Sequence, residues 1–161
     1  MPQKPQSPGC HLTKTPTRDF TATTFVVRNR RTLLLWHNKI QAWLPPGGHI
    51  NPNELPETAA LREVREETGL EVELLGAEQR WGNVRVLHTP ICILLEDITP
   101  GHQHIDLIYF ARNTGGQPQI NPREAAAFRW FDCRDLEADE IAEDIRRLGN
   151  QAIEMVNHQQ D

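Results

Sequence analysis

The sequence predicts an α/β domain in which a mixed sheet carries a central helix and a C-terminal helix. Three observations predict it. β-Branched and apolar runs recur along the chain, as strands require. A helix-length segment opens at Pro56 and is stopped by Gly69. Near the C-terminus, Ile141, Ile145, Leu148, Ala152 and Val156 fall on one helical stripe. At 161 residues the chain is long enough for one domain with a substantial core.

Residues 1–17 are rich in Pro, Gln, Ser and Lys and read as a flexible arm, leaving 18–161 as the single domain. Thr21 to Val27 and Thr32 to Trp36 read as strands joined by a polar turn at Asn29 and Arg30. Leu44-Pro45-Pro46-Gly47-Gly48 excludes helix: the prolines fix φ, and the glycines allow a strained turn or a close backbone approach. In the helix that follows, Glu57 places negative charge at the positive end, and either Asn53 or Leu55 is the cap. Val72 to Leu75 alternates, Val84 to Asp97 is strand-rich with Pro90 interrupting it, and His104 to Arg112 is a further strand. A loop at Thr114 to Pro118 and a short strand from Ala127 to Phe131 precede the C-terminal helix, where Gly149 is a weak spot. No repeat is present.

The central helix carries an anomaly. At ~100° per residue, Glu63, Glu66 and Glu67 crowd one arc, beside an apolar face of Ala60, Leu61 and Val64. Carboxylates at i,i+3 and i,i+4 repel, and Glu66 and Glu67 also sit in the last turn, where the helix dipole disfavours anions. Such local violations gather at functional sites. The simplest compensation is a hard divalent cation with oxygen ligands, magnesium before calcium if phosphate is also bound, with manganese as a substitute.

From Gly48 to Leu70 the run GHINPNELPETAALREVREETGL resembles the Nudix box, G-x5-E-x7-R-E-U-x-E-E-x-G-U with U aliphatic. Gly48, Glu54, Arg62, Glu63, Val64, Glu66, Glu67, Gly69 and Leu70 meet every specified position. Nine positions over 23 residues make a specific signal, although the box covers about a seventh of the chain. Asn51 stands where many relatives carry an acidic residue. The resemblance implies an α/β/α sandwich and hydrolysis of a diphosphate linkage in a nucleotide derivative. It also implies that Glu63, Glu66 and Glu67 ligate magnesium together with the Gly47 carbonyl, and that Glu66 or Glu63 deprotonates or orients water. Arg62 then orients Glu54 or a ligating glutamate, an ordinary surface ion pair being the alternative.

Relatives often recruit a further acidic group from outside the box. Asp106, Glu96, Asp97 and Glu124 are the candidates, and Glu124 is favoured because its loop is able to close over substrate. His102, His104 and Asp106 alternate along one strand and so share a face, either as a second metal or phosphate site or as a polar strand end. Trp43 and Trp81 are candidate platforms for a base, whereas Trp36 and Trp130 read as core. Lys39 and Arg112 are candidates for a distal phosphate, with a solvated surface charge as the favoured alternative. The substrate-binding set is therefore Trp43, His104 and Asp106.

A net charge of -5 argues against sequence-blind nucleic-acid binding, leaving a small-molecule nucleotide as partner. The longest apolar run, Ile91 to Leu95, is too short to span a membrane, and the N-terminus has no apolar signal core. Cys10, Cys92 and Cys133 fit reduced thiols of a cytoplasmic protein, with Cys92 a buried small hydrophobe. Two rivals to the hydrolase are a nucleotide-binding module without turnover and an isoprenyl-diphosphate isomerase. The first would be favoured by a lost box glutamate, and the second needs a catalytic cysteine that Cys92 is too apolar to supply.

Overall fold

A computed structural model describes residues 15–158. Ten strands run in chain order: β1 Thr17–Arg28, β2 Arg31–His37, β3 Trp43–Leu44, β4 Gly47–His49, β5 Glu71–Leu74, β6 Gln79–Trp81, β7 Val84–Val86, β8 Cys92–Thr99, β9 His102–Gly115 and β10 Ala125–Phe131. Helix α1 spans Pro56–Thr68 and α2 spans Glu143–His158, with a 3-10 turn at Asp135–Glu137. The main sheet runs β10-β2-β1-β9-β5, with β3 on β2, β4 on β1 and β8 on β9, while β6 and β7 form a separate hairpin. The β1–β9 pair is parallel and the others are antiparallel, so the sheet is mixed.

Period-two alternation sorts β1 between two helical layers. Phe25 and Val27 face a core with Leu34, Phe110 and Phe131, closed by Ile145, Leu148, Ala152, Ile153 and Val156 of α2. Ala22 and Val26 face the other way, toward Ala59, Ala60 and Val64 of α1. The result is an α/β/α sandwich. Phe25 and Phe110 meet edge-to-face at 5.9 Å in its centre. Fully burying either ring stabilises the fold by about 1.5–3 kcal/mol.

Several local expectations change. Thr17 already lies in β1 rather than in the expected arm, and residues 1–14, which carry the rest of that expectation and Cys10, lie outside the described residues. Asn29 and Arg30 both adopt positive φ, the two-residue turn that matches strand twist. Leu55 caps α1 without a side-chain hydrogen bond, and Asn53 instead takes a left-handed conformation two residues earlier. Gly47 and Gly48 are strand rather than turn, because they must lie close to β1 and α1. Strand β9 continues through Thr114 and Gly115 by pairing with β5. Gly149 has a packing role in α2: a Cβ there would stand 2.9 Å from Leu136 Cδ1 and 3.4 Å from Thr32 Cγ2, so the missing side chain lets helix and sheet approach. Cys92 is half-buried against the α2-side core rather than enclosed, and Cys133 is exposed; both are free thiols. No helix among the described residues is long and apolar enough to cross a membrane.

Candidate active site

A cavity of about 320 Å³ opens between α1, the sheet and α2. The short β4 strand positions one wall. Antiparallel pairing sets Gly47 opposite Thr23 and Gly48 opposite Ala22. A Cβ on Gly47 would fall 2.8 Å from the Ala22 carbonyl oxygen, and one on Gly48 would fall 2.6 Å from Glu63 Oε1. Backbone atoms of Ala22 and Thr23 require glycine at position 47, whereas at Gly48 the neighbour is the Glu63 carboxylate.

Arg62 organises the acidic face of α1. Its Nε and Nη2 donate to both oxygens of Glu54, at 2.8 and 3.0 Å. Its Nη1 donates to Glu63 at 2.6 Å and Glu66 at 3.1 Å, and Nη2 also donates to the His49 carbonyl at 3.0 Å. Arg62 therefore serves Glu54 and two of the three clustered glutamates at once, which an ordinary surface pair does not do. The side chain of Glu54 is 12% exposed, and Arg62, the largest influence on it, holds its pKa down to about 2. Glu63 is pinned near Gly48, and Glu66 is largely exposed.

Glu67 is set apart from this network. It lines the cavity and accepts from the Gly47 N–H at 3.3 Å. Burial first, then the carboxylates of Glu124 and Glu63, push its pKa up to about 8. Glu124 comes to it from the loop before β10, and that loop is tied to the end of α1. Gln119 N–H donates to the Thr68 carbonyl at 2.8 Å and Asn121 N–H to the Glu67 carbonyl at 3.1 Å, satisfying helix-terminal acceptors. Asn121 Nδ2 also donates to Glu124 Oε1 at 3.1 Å. Glu124 thus reaches Glu67 without the loop closure that the sequence suggested.

The far wall is acidic and apolar. Asp106 is buried and accepts from Thr21 Oγ1 at 2.8 Å, and burial raises its pKa. Glu96 is also raised, by burial and then by Asp106 and Asp144. His104 lies beside Asp106, with its pKa lowered by burial and by the neighbouring His49 and His102. Among the described residues lining the cavity, Glu67, Glu96, Asp106, Glu124 and Asp144 are acidic, and none is lysine or arginine. Phe25, Leu35, Ile145 and Leu148 supply an apolar wall.

The structure brings together Gly47, Glu67, His104, Asp106 and Glu124 around the cavity, with Arg62, Glu63 and Glu66 beside it. It leaves Trp43 out of the lining: that ring packs edge-to-face on Trp36 at 5.4 Å and on Phe131 at 5.1 Å, because β3 lies over the core. Trp81 is exposed on the β6–β7 hairpin, also outside the lining. Arg112 pairs with Glu73 at 2.5 Å, away from the cavity, and Lys39 is exposed in the turn after β2. Sequence reasoning missed His37, Ile40, Phe25 and the α2 residues Asp144, Ile145 and Leu148 as lining residues. Nothing in their spacing signals it, since the α2 stripe reads equally as core.

An all-oxygen donor set with mutually repelling, partly desolvated carboxylates suits a hard divalent cation. The NUDIX domain model matches residues 18–151. The chain belongs to the Nudix family. This Nudix protein is 33% identical to a solved Nudix-family hydrolase from Clostridium perfringens, with a TM-score of 0.75 over 87% of this chain and 99% of that one. It is 29% identical over 117 residues to a Bacillus subtilis (strain 168) protein provisionally named an 8-oxo-dGTP diphosphatase, covering 69% of this chain and 66% of the relative. It is 39% identical over 80 residues to an RNA pyrophosphohydrolase of Pseudomonas putida (strain GB-1), covering 42% of this chain and 50% of the relative. The chain thus spans half to just under two-thirds of the length of these curated relatives.

Proposed function

We propose that this Nudix protein is a magnesium-dependent pyrophosphohydrolase that splits a phosphoanhydride in a nucleoside triphosphate or a nucleoside diphosphate derivative. The observation that carries this reading is the buried Glu67 carboxyl facing Glu124 at a cavity with no lysine or arginine in its described lining. A polyphosphate cannot enter such a cavity without a counter-cation. The names of the Bacillus and Pseudomonas relatives support the same bond type.

Glu63, Glu66 and Glu67 are the residues that would hold the ion, with the Gly47 carbonyl as a further oxygen. When bound, magnesium neutralises phosphate charge and stabilises the leaving oxygen. Arg62 fixes the Glu63 and Glu66 carboxylates, so that their rotamers are set before substrate arrives. Glu124, held by Asn121, accepts the proton of the attacking water. The apolar wall of Phe25, Leu35, Ile145 and Leu148 receives the base, in place of the Trp43 platform. Asp106 and His104 contact the polar part of the substrate.

The test is a panel of nucleoside triphosphates, sugar nucleotides and dinucleoside polyphosphates with magnesium or manganese, products identified by mass. Cleavage of a phosphoanhydride is expected, and Glu124→Gln should lower turnover by about 10²–10⁴-fold with substrate affinity kept within a few-fold. Tight nucleotide binding without turnover would overturn the reading in favour of a binding module. Double-bond migration in an isoprenyl diphosphate would overturn it in favour of the isomerase.

A further inference from the structure

Three imidazoles and one carboxylate meet at the rim of the cavity, none of them a specified position of the box. His102 and His104 come from the start of β9, His49 from the end of β4 and Asp19 from the start of β1. The rings of His49 and His104 lie 4.9 Å apart and those of His102 and His104 5.3 Å apart. Ligand atoms of Asp19, His102 and His104 all fall within 4.8 Å of one another. Asp19 Oδ2 stands 3.5 Å from His49 Nε2 and 3.6 Å from His102 Nε2.

Those two separations are informative. A direct N–H···O bond closes to about 2.7–3.2 Å. Two ligands on a tetrahedral ion with arms of about 2.0–2.2 Å stand roughly 3.3–3.6 Å apart. The Asp19–imidazole spacings match the second figure. The ring of His102 is also oriented from behind: its Nδ1 is hydrogen-bonded to Thr17 Oγ1 at 2.9 Å, which leaves Nε2 as the nitrogen turned to Asp19. A hydrogen bond to the far nitrogen is how ligating histidines are held in place. None of these four residues is a specified position of the box, and three nitrogen donors disfavour magnesium while suiting zinc and its neighbours in the first transition row.

We propose that Asp19, His102 and His104 form a second metal site, selective for a borderline-soft divalent ion of the zinc class, at the mouth of the cavity, with His49 beside Asp19 as a further nitrogen donor. An ion there places positive charge on a rim whose described lining has no lysine or arginine. It is chemically separate from the carboxylate site, so magnesium does not compete for it. It is also mechanically joined to that site, because the His49 carbonyl accepts from Arg62 and the neighbouring Gly48 lies against Glu63.

The experiment is titration of the full, tag-free chain with Co²⁺, read by its visible bands, and with Zn²⁺ in competition, in excess Mg²⁺. One equivalent of tetrahedral Co²⁺ should bind and be displaced by Zn²⁺ but not by Mg²⁺. His102→Ala with His104→Ala should weaken Zn²⁺ binding by at least about 100-fold, beyond what loss of an outer-shell partner costs. Glu66→Gln with Glu67→Gln should leave it within about threefold, because those oxygens belong to the other site. Should the histidine double variant fail to fold, His49→Ala and Asp19→Asn decide, since both side chains are more than half exposed. Unchanged Zn²⁺ affinity in the folded histidine variants, displacement of Co²⁺ by Mg²⁺, or loss of Zn²⁺ binding in the glutamate variant would each overturn the site.

Discussion

Arg62 donates five hydrogen bonds, four of them to carboxylates of three glutamates. Only a guanidinium fork has that geometry, so Arg62→Lys is expected to release Glu63 and Glu66 and to lower turnover while the melting temperature falls little. Glu54 carries the pH signature of this network. Its folded pKa, about 2, lies below the ordinary 4.5, so its contribution to stability is full above pH 4.5 and is lost as pH falls toward 2. Melting temperature against pH should therefore fall less steeply through that window in Glu54→Gln. An equally steep acid limb would show that other carboxylates dominate. The adjacent glycines separate two kinds of damage. Gly47→Ala meets backbone atoms of Ala22 and Thr23 and should destabilise the fold, whereas Gly48→Ala meets the movable Glu63 carboxylate. The second variant should keep its melting temperature and lose magnesium affinity in calorimetry.

Helix α1 could be read from sequence in nearly all respects: its Pro56 start, its Gly69 stop, its apolar face and its clustered glutamates. Those features are local, and local rules fix them. Its buried Glu57 could not be read, because it is paired by Arg85 and by His88 Nδ1 at 2.9 Å, groups that arrive from about 30 residues away. Glu67 shows what the end of the helix costs. Glu67→Gln removes a charge that burial and two carboxylates already oppose, so the metal-free variant should melt at or above the wild-type temperature. Its gain in melting temperature on adding magnesium should be smaller than the wild type's, by ligand linkage. A lower melting temperature without metal would make Glu67 a structural residue. In α2, Gly149→Leu has favourable helix propensity yet should cost about 1–3 kcal/mol in a denaturant melt, because Leu136 and Thr32 occupy the space.

At the scale of the molecule, the cavity draws its lining from β1, β2, β3, β4, α1, β8, β9, β10 and α2, together with the turns and loops between them. Periodicity predicted most of these elements separately. Which of their residues meet around one space depends on register, such as Thr21 opposite Asp106, and no single-chain pattern encodes that. The acidic lining has a measurable result. Nucleoside triphosphate affinity should fall by orders of magnitude when chelator removes divalent ions, and equal affinity with and without chelator would contradict it.

The parallel pairing of β1 with β9 also sets a schedule. Partners in that ladder, such as Thr21 and Asp106, are separated by 85 positions along the chain. Contacts of such high order form slowly, since the intervening loop must close before they return any stability. During synthesis β1, β4 and α1 emerge together, but the centre of the sheet waits until Arg112 has left the ribosome. A fragment ending before His102 would contain every box residue and still lack the strand that holds β1 in place.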